Sequence, residues 1–383
     1  MSEIKVNSIK GVSASTAALT INNTDGTCTA NLTNRTNKNL IINGAVNVAQ
    51  RSSSSTTTNG YATVDRFSKY NSSTDESPSQ EQVDVASGTT PYTLGFRKAY
   101  KITNGNQTSG AQATTRVVIE YKIEAQDLAT SGWNYLSSTS YITFSYWVKS
   151  SVAQNFYNTF TTDDGTSQRY VTETGSLSAD TWTKITKTIP GNSNLTFNND
   201  NGEGLEITWE CFRGTSQTGT RPLNAWAAAD NNTRTPDQTS TWYTTNDATF
   251  EITGVQLEVG SVATDFEHRS FDQERELCFR YFRKYPSSGY VGHVGRVNGT
   301  TVSDTNFNIP KSMRTTPSVT LDSSGGFAFE YGSNAVGVSS ASVGGFSAEN
   351  VFMRFNLSGS ATNGHATYMQ LSAGTFMKID AEL

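Results

Sequence analysis

The chain has 383 residues, of which 35% are hydrophobic, 16% charged and 11% aromatic, with a formal net charge of −5. Its length predicts two or three domains. The mild negative charge excludes the concentrated basic surface that nucleic-acid binding requires, and the aromatic content excludes a disordered chain. Ser, Thr and Asn together make up about a third of the residues. Thr, Tyr, Phe and Trp suit a half-buried pleated surface, while Asn, Ser and Gly suit turns, so composition predicts an all-β protein with many loops.

Met1-Ser2-Glu3-Ile4-Lys5 has no apolar h-region, so no secretory signal is expected. The longest apolar runs, such as Leu40-Ile41-Ile42, are far too short for membrane insertion. Cys28, Cys211 and Cys278 are dispersed and odd in number, which predicts free thiols and synthesis in a reducing cytoplasm.

Residues 1–38 hold short extended pieces, Ile4–Ile9 and Ala18–Ile21, with too few apolar side chains for a core. They read either as a flexible tail or as an arm that orders against a neighbour, the alternation favouring the arm. Residues 39–270 carry alternating strands. In Tyr141–Lys149, residues Ile142, Phe144, Tyr146 and Val148 share one face, and Tyr141, Thr143, Ser145 and Trp147 the other. Arg116–Tyr121, Trp182–Ile189, Leu205–Phe212 and Thr249–Glu258 read likewise, separated by turn clusters such as Asp163-Asp164-Gly165. This pattern predicts an antiparallel two-sheet sandwich.

One stretch reads as a helix, over residues 271–286. Acids open Asp272–Tyr285, bases close it, and Pro286 stops it. Leu277, Cys278, Tyr281, Phe282 and Tyr285 form its apolar stripe. That stripe either packs on its own domain or meets its copies around a symmetry axis; Leu277, Tyr281, Phe282 and Tyr285 are the candidate oligomer contacts. Residues 287–383 return to short strands and read as a smaller C-terminal β-domain.

All six tryptophans fall between Trp133 and Trp242. Trp147, Trp182 and Trp209 lie in strands and are expected in the core or on a sheet surface. Trp133, Trp226, Trp242, Tyr243 and Tyr92 sit in loop-like sequence. Exposed rings suit sugar faces because they combine an apolar body with a polar edge, so these five are the candidate glycan contacts. The plainer reading is that they fold back and pack.

Asp163–Gly165 and Asn198–Glu203 lack the twelve-residue calcium pattern and read as turns. His268, His293 and His365 are too dispersed for a metal cluster. No spacing singles out two opposed acids of the kind glycan depolymerases use, and no G-x-S-x-G or H-E-x-x-H occurs. Neither catalytic residues, metal nor cofactor is expected.

Four islands resemble a domain of tail-fibre and related structural proteins of tailed phages, especially those of marine hosts. They are Asn39-Leu40-Ile41-Ile42-Asn43-Gly44 with Gln50-Arg51; Tyr61 through Asp65-Arg66-Phe67; Phe144-Ser145-Tyr146-Trp147-Val148-Lys149-Ser150; and Val255-Gln256-Leu257-Glu258 through Phe266-Glu267-His268-Arg269. Cys278-Phe279-Arg280-Tyr281-Phe282 is similar to the helix that follows in that family. The resemblance covers roughly residues 39–285. It implies a jelly-roll sandwich like those of carbohydrate-binding modules, on a virion appendage that is commonly trimeric, with no catalytic residues. The expectation is therefore a homotrimeric tail-fibre-like protein made in the bacterial host. Residues 1–38 would dock on other tail or capsid proteins, and the sandwich would meet host surface polysaccharide. The alternatives are a capsid or neck decoration protein and a depolymerase tailspike.

Overall fold

The computed structural model describes residues 6–9, 19–21, 28–30, 37–285, 289–308, 312–321, 327–331, 334–346, 350–371 and 377–383. Among them, every strand pairing within the sheets is antiparallel. Two sheets form the sandwich. One runs Trp226–Ala228, Gln168–Ser176, Asn155–Thr162, Glu203–Arg213, Arg116–Glu124, Phe67–Ser72; the other runs Thr183–Pro190, Tyr141–Ser150, Thr249–Val259, Lys98–Thr103, Ser79–Asp84. The expected all-β jelly-roll architecture is the one observed.

The period-2 alternation explains the core. Phe144 and Tyr146 project inward from the five-stranded sheet onto Trp209 of the six-stranded one, with ring centroids 5.7 and 5.8 Å apart, and Phe67 closes the group at 6.1 Å. All four side chains are fully buried, each contributing about 1.5–3 kcal/mol or more of transfer free energy. Tyr146 also buries a hydroxyl, which donates to Asn158 Oδ1 at 2.6 Å and so avoids the cost of an unpaired polar group.

Within the arm, Ser8–Ile9, Leu19–Ile21 and Cys28–Ala30 pair as a small sheet; apart from residues 6, 7, 37 and 38, the rest of that segment lies outside the described residues. At the other end, Gly289–Asn298, Val302–Asn308, Phe327–Tyr331, Asn334–Phe346, Asn350–Leu357 and Ala366–Leu371 close into a barrel. Its interior packs Val297, Phe329, Met353, Phe355 and Met369. Gly295 is obligatory there, since a Cβ would stand 2.2 Å from Thr305 Oγ1.

The predicted helix is shorter than expected. It spans Phe271–Cys278, opened by a capping box in which Ser270 and Gln273 exchange hydrogen bonds. Phe282–Tyr285 is instead a strand beside Met377–Asp380, and the Tyr281 carbonyl accepts from Ala381 N at 2.7 Å. Tertiary pairing with the C-terminal strand overrides helix propensity. The oligomer-contact expectation fails with it: Tyr281 and Phe282 are 1% exposed, Tyr285 is buried and Leu277 half-buried, so the stripe is spent inside its own subunit. Three further single-turn helices, Thr90–Thr93, Ala125–Ala129 and Thr241–Thr244, were not expected.

Candidate functional site

Most of the recognisable islands converge on one buried polar seam. Asn43 Nδ2 donates to the Val48 and Asp65 carbonyls at 2.8 and 2.9 Å, and Gln50 N donates to Asp65 Oδ1 at 2.9 Å. Arg51 pairs with Asp380 at 2.9 Å and Glu382 at 3.3 Å, its guanidinium lying 3.5 Å over the Phe282 ring. Arg66 also pairs with Glu382 and lies 3.4 Å over Tyr281. Arg280 holds Glu124 at 2.6 Å. Burial works to discharge Arg66, but Glu382 together with Tyr281, Tyr121 and Tyr61 outweighs it, and its pKa rises well above the usual value. Burial pushes Asp65 up to about 6 against the pull of Arg51. The seam joins sandwich, helix and C-terminal unit, with Arg66, Asp65 and Glu124 buried and Asp380 and Arg280 at its solvent edge.

The five-stranded sheet carries an open feature on its outer face. Residues 261–269 cross that face as a strap, leaving a groove beside it lined by Phe96, Trp147, Lys184, Asp265, Phe266 and His268, with Ser145 and Gly254 at its base. The groove has a volume of about 180 Å³ and is partly open to solvent, a shallow site below the roughly 300–1,000 Å³ of drug-sized ligand pockets. Its apolar wall is preorganised. The Phe96 ring packs edge-on to Phe266 at 4.9 Å, His268 lies 5.2 Å from Phe96, and His268 Nε2 is 2.9 Å from the Leu94 carbonyl.

Register explains the opposite wall. Lys184 stands directly across from Trp147, and Thr253 flanks Trp147 on the other side, so all three share the outer face. Between Thr253 and Gln256 the register slips, and Gly254 occupies the bulge at φ +61°, where a Cβ would stand 2.6 Å from the Phe96 ring. Trp147 is half-buried; Lys184, Asp265 and His268 are exposed, each able to meet a ligand. A flat ring beside a cation, a carboxylate, an imidazole and a hydroxyl can stack an apolar ring face and bond polar groups at its edge.

The outer face of the six-stranded sheet is charged instead. Burial and the neighbouring Glu206 push Glu120 up to about 7, with Arg116 3.9 Å away. Glu210 is bonded by Arg213 through both oxygens, at 2.8 and 2.9 Å.

Three of the five expected glycan contacts are core residues. Trp133 is 4% exposed, Trp242 is fully buried with Nε1 donating to the Thr249 carbonyl at 3.0 Å, and Tyr243 stacks on Phe212 at 4.8 Å. The helical turn Thr241–Thr244 rotates both of its aromatics inward, which a loop would not do. Trp226 is half-buried on an edge strand, its Nε1 donating to the Pro190 carbonyl at 2.7 Å, and Tyr92 is half-buried under Arg97 at 4.0 Å. Neither lines the groove. The strand tryptophans divide as expected: Trp209 is core, while Trp147 and Trp182 lie on the sheet surface, Lys149 Nζ standing 5.3 Å from the Trp182 ring centroid.

No protein-family model matches the chain, and no curated protein matches it. Solved structures are similar to it at low identity. The enzymatically active domain of tailspike protein 4 of bacteriophage CBA120 is 9% identical over 58% of this chain and 21% of that one, with a TM-score of 0.30. The N-terminal cellulose-binding domain of Cellulomonas fimi β-1,4-glucanase C is 10% identical over 56% of this chain and 99% of that one, with a TM-score of 0.27. The family 11 carbohydrate-binding module of Clostridium thermocellum Lic26A-Cel5E is 12% identical over 57% of this chain and 99% of that one, with a TM-score of 0.25. The chain thus spans about a fifth of the tailspike domain it matches, and these are similarities of fold alone.

Proposed function

We propose that this chain is a non-catalytic, tail-fibre-like virion subunit that binds surface saccharides of the host in the groove of the five-stranded sheet. The observation that carries the binding part is the groove itself: a half-buried indole on a strand, opposite an aromatic wall, with polar side chains at the rim. Carbohydrate rings present apolar faces and hydroxyl edges, the chemistry such a site accommodates. The virion part rests on the sequence islands that resemble tail-fibre proteins. A homo-oligomer, trimeric as that resemblance implies, assembles through surfaces other than the buried helix stripe. Binding rather than cleavage is favoured in the groove because, among the described residues, Asp265 is the one carboxylate lining it, whereas glycoside hydrolysis uses two. An array of host surface polysaccharides should capture the full chain and lose Trp147→Ala. Absence of any binder at millimolar ligand would end this reading.

A depolymerase is the second reading, favoured by one observation. Glu120, raised to about 7, lies beside Glu206 on the opposite sheet, and a raised carboxyl beside a second one is the pairing that glycoside hydrolysis uses. Shortened polysaccharide chains that disappear with Glu120→Gln would establish it; intact chains with the wild type would remove it.

A further inference from the structure

We propose that Lys38, at the root of the N-terminal arm, is a positioning residue for the groove, so that the arm and the saccharide site are mechanically coupled. The inference rests on the binding reading above for its functional meaning, and on separate contacts for its geometry.

The strap that walls the groove is held from two sides. From beneath, Glu258 accepts from Thr264 N at 2.8 Å and Thr264 Oγ1 at 2.6 Å, and Gln256 Oε1 accepts from Glu267 N at 2.9 Å. These bonds tie the strap to the last strand of the sandwich. From above, the chain leaving the arm closes over it. Lys38 Nζ donates to the Asp265 carbonyl at 2.6 Å and to Thr264 Oγ1, and Glu267 accepts from the backbone amides of Asn37 and Asn39. Asn39 N reaches Glu267 Oε2 at 2.8 Å, and the Asn39 carbonyl accepts from Arg269 Nη2 at 2.6 Å.

Asp265, Phe266 and His268 line the groove, and Lys38 does not. Lys38 therefore acts through the strap. Its ammonium fixes the backbone at Asp265, and this sets where Phe266 and His268 face Trp147. The sandwich core does not need this contact, since Glu258 and Gln256 anchor the strap independently. Residues 37–39 are also where the chain passes from the arm into the sandwich. A virion protein that grips residues 1–38 thereby loads the same residue that shapes the groove.

Lys38→Met and Lys38→Arg in the full chain test this by amide hydrogen exchange and by titration with the tightest saccharide from the array. Lys38→Met should speed exchange at Thr264 and Glu267 by about tenfold and weaken saccharide affinity about fivefold, as expected when a charge-assisted hydrogen bond is lost from a site's support. Lys38→Arg, which retains the charge and donors, should restore much of both. Unchanged exchange in Lys38→Met overturns the proposal whatever the affinity. Faster exchange with unchanged affinity overturns the coupling to binding. Faster exchange in a protein whose wild type binds no saccharide keeps the arm-to-strap contact and refutes the binding reading instead.

Discussion

The seam between sandwich and C-terminal unit and the groove on the five-stranded sheet are built on opposite principles. The seam is polar, buried and satisfied by matched charges: Arg51 and Arg66 against Asp380 and Glu382. The groove is aromatic and open, its rim charges spread over Lys184, Asp265 and His268. The most recognisable residues of the sequence mostly fall in the seam, because buried charge tolerates little substitution. The groove draws its walls from strands and loops far apart in the chain, and two of the islands supply Trp147, Phe266 and His268 to it.

The comparison can be broken at either end. The largest effect is expected from Arg66→Met, which leaves Glu382 buried with less compensation. Denaturant unfolding should show a loss of about 3 kcal/mol, while saccharide affinity in the folded protein stays unchanged. A loss of affinity without a loss of stability would show that seam and groove are not separate.

Trp147→Ala should do the reverse. Affinity should fall about tenfold or more through the lost stacking face, with the melting temperature little moved because the indole is half-exposed. A variant that unfolds instead would make Trp147 a core residue.

The third expectation concerns the charged face. Glu120 has a folded pKa raised from 4.5 to about 7 by burial and Glu206. Its neutral form is favoured in the fold, so its contribution to stability is fully present below 4.5 and is lost as pH rises through about 7. Glu120→Gln should flatten that decline, raising the melting temperature at pH 8 by about 2–4 °C relative to wild type and leaving it nearly unchanged at pH 4. Equal shifts at both pH values would contradict the assignment.

The smallest effect belongs to Lys184→Ala. An exposed cation at the groove rim should change affinity about twofold, with the difference shrinking at high salt. A salt-independent loss would mean that Lys184 packs against the ligand rather than bonding it.

How far the sequence was legible follows from these same residues. The strand Tyr141–Ser150 was plain because its alternation is unbroken, and the acids opening Asp272–Tyr285 marked the helix start. The helix end was not plain: Tyr281 and Phe282 keep a helical spacing but are claimed by the strand Met377–Asp380, a contact about a hundred residues away. Trp242 and Tyr243 looked like loop aromatics among threonines, yet a single helical turn carries both into the core. Trp147 was read as core or sheet surface, but nothing local to it foretells Phe96, Phe266 and His268 opposite, because a bulge at Gly254 and a crossing strap bring them there. Local pattern reads elements well; a groove between elements depends on how they cross.

A structure of the full chain with the tightest saccharide from the host polysaccharide bound tests the central claim most directly. The account predicts a sugar ring stacked on Trp147, with polar contacts from Lys184, Asp265 or His268. A ligand seated instead on the six-stranded sheet beside Glu120 and Glu206 would contradict it.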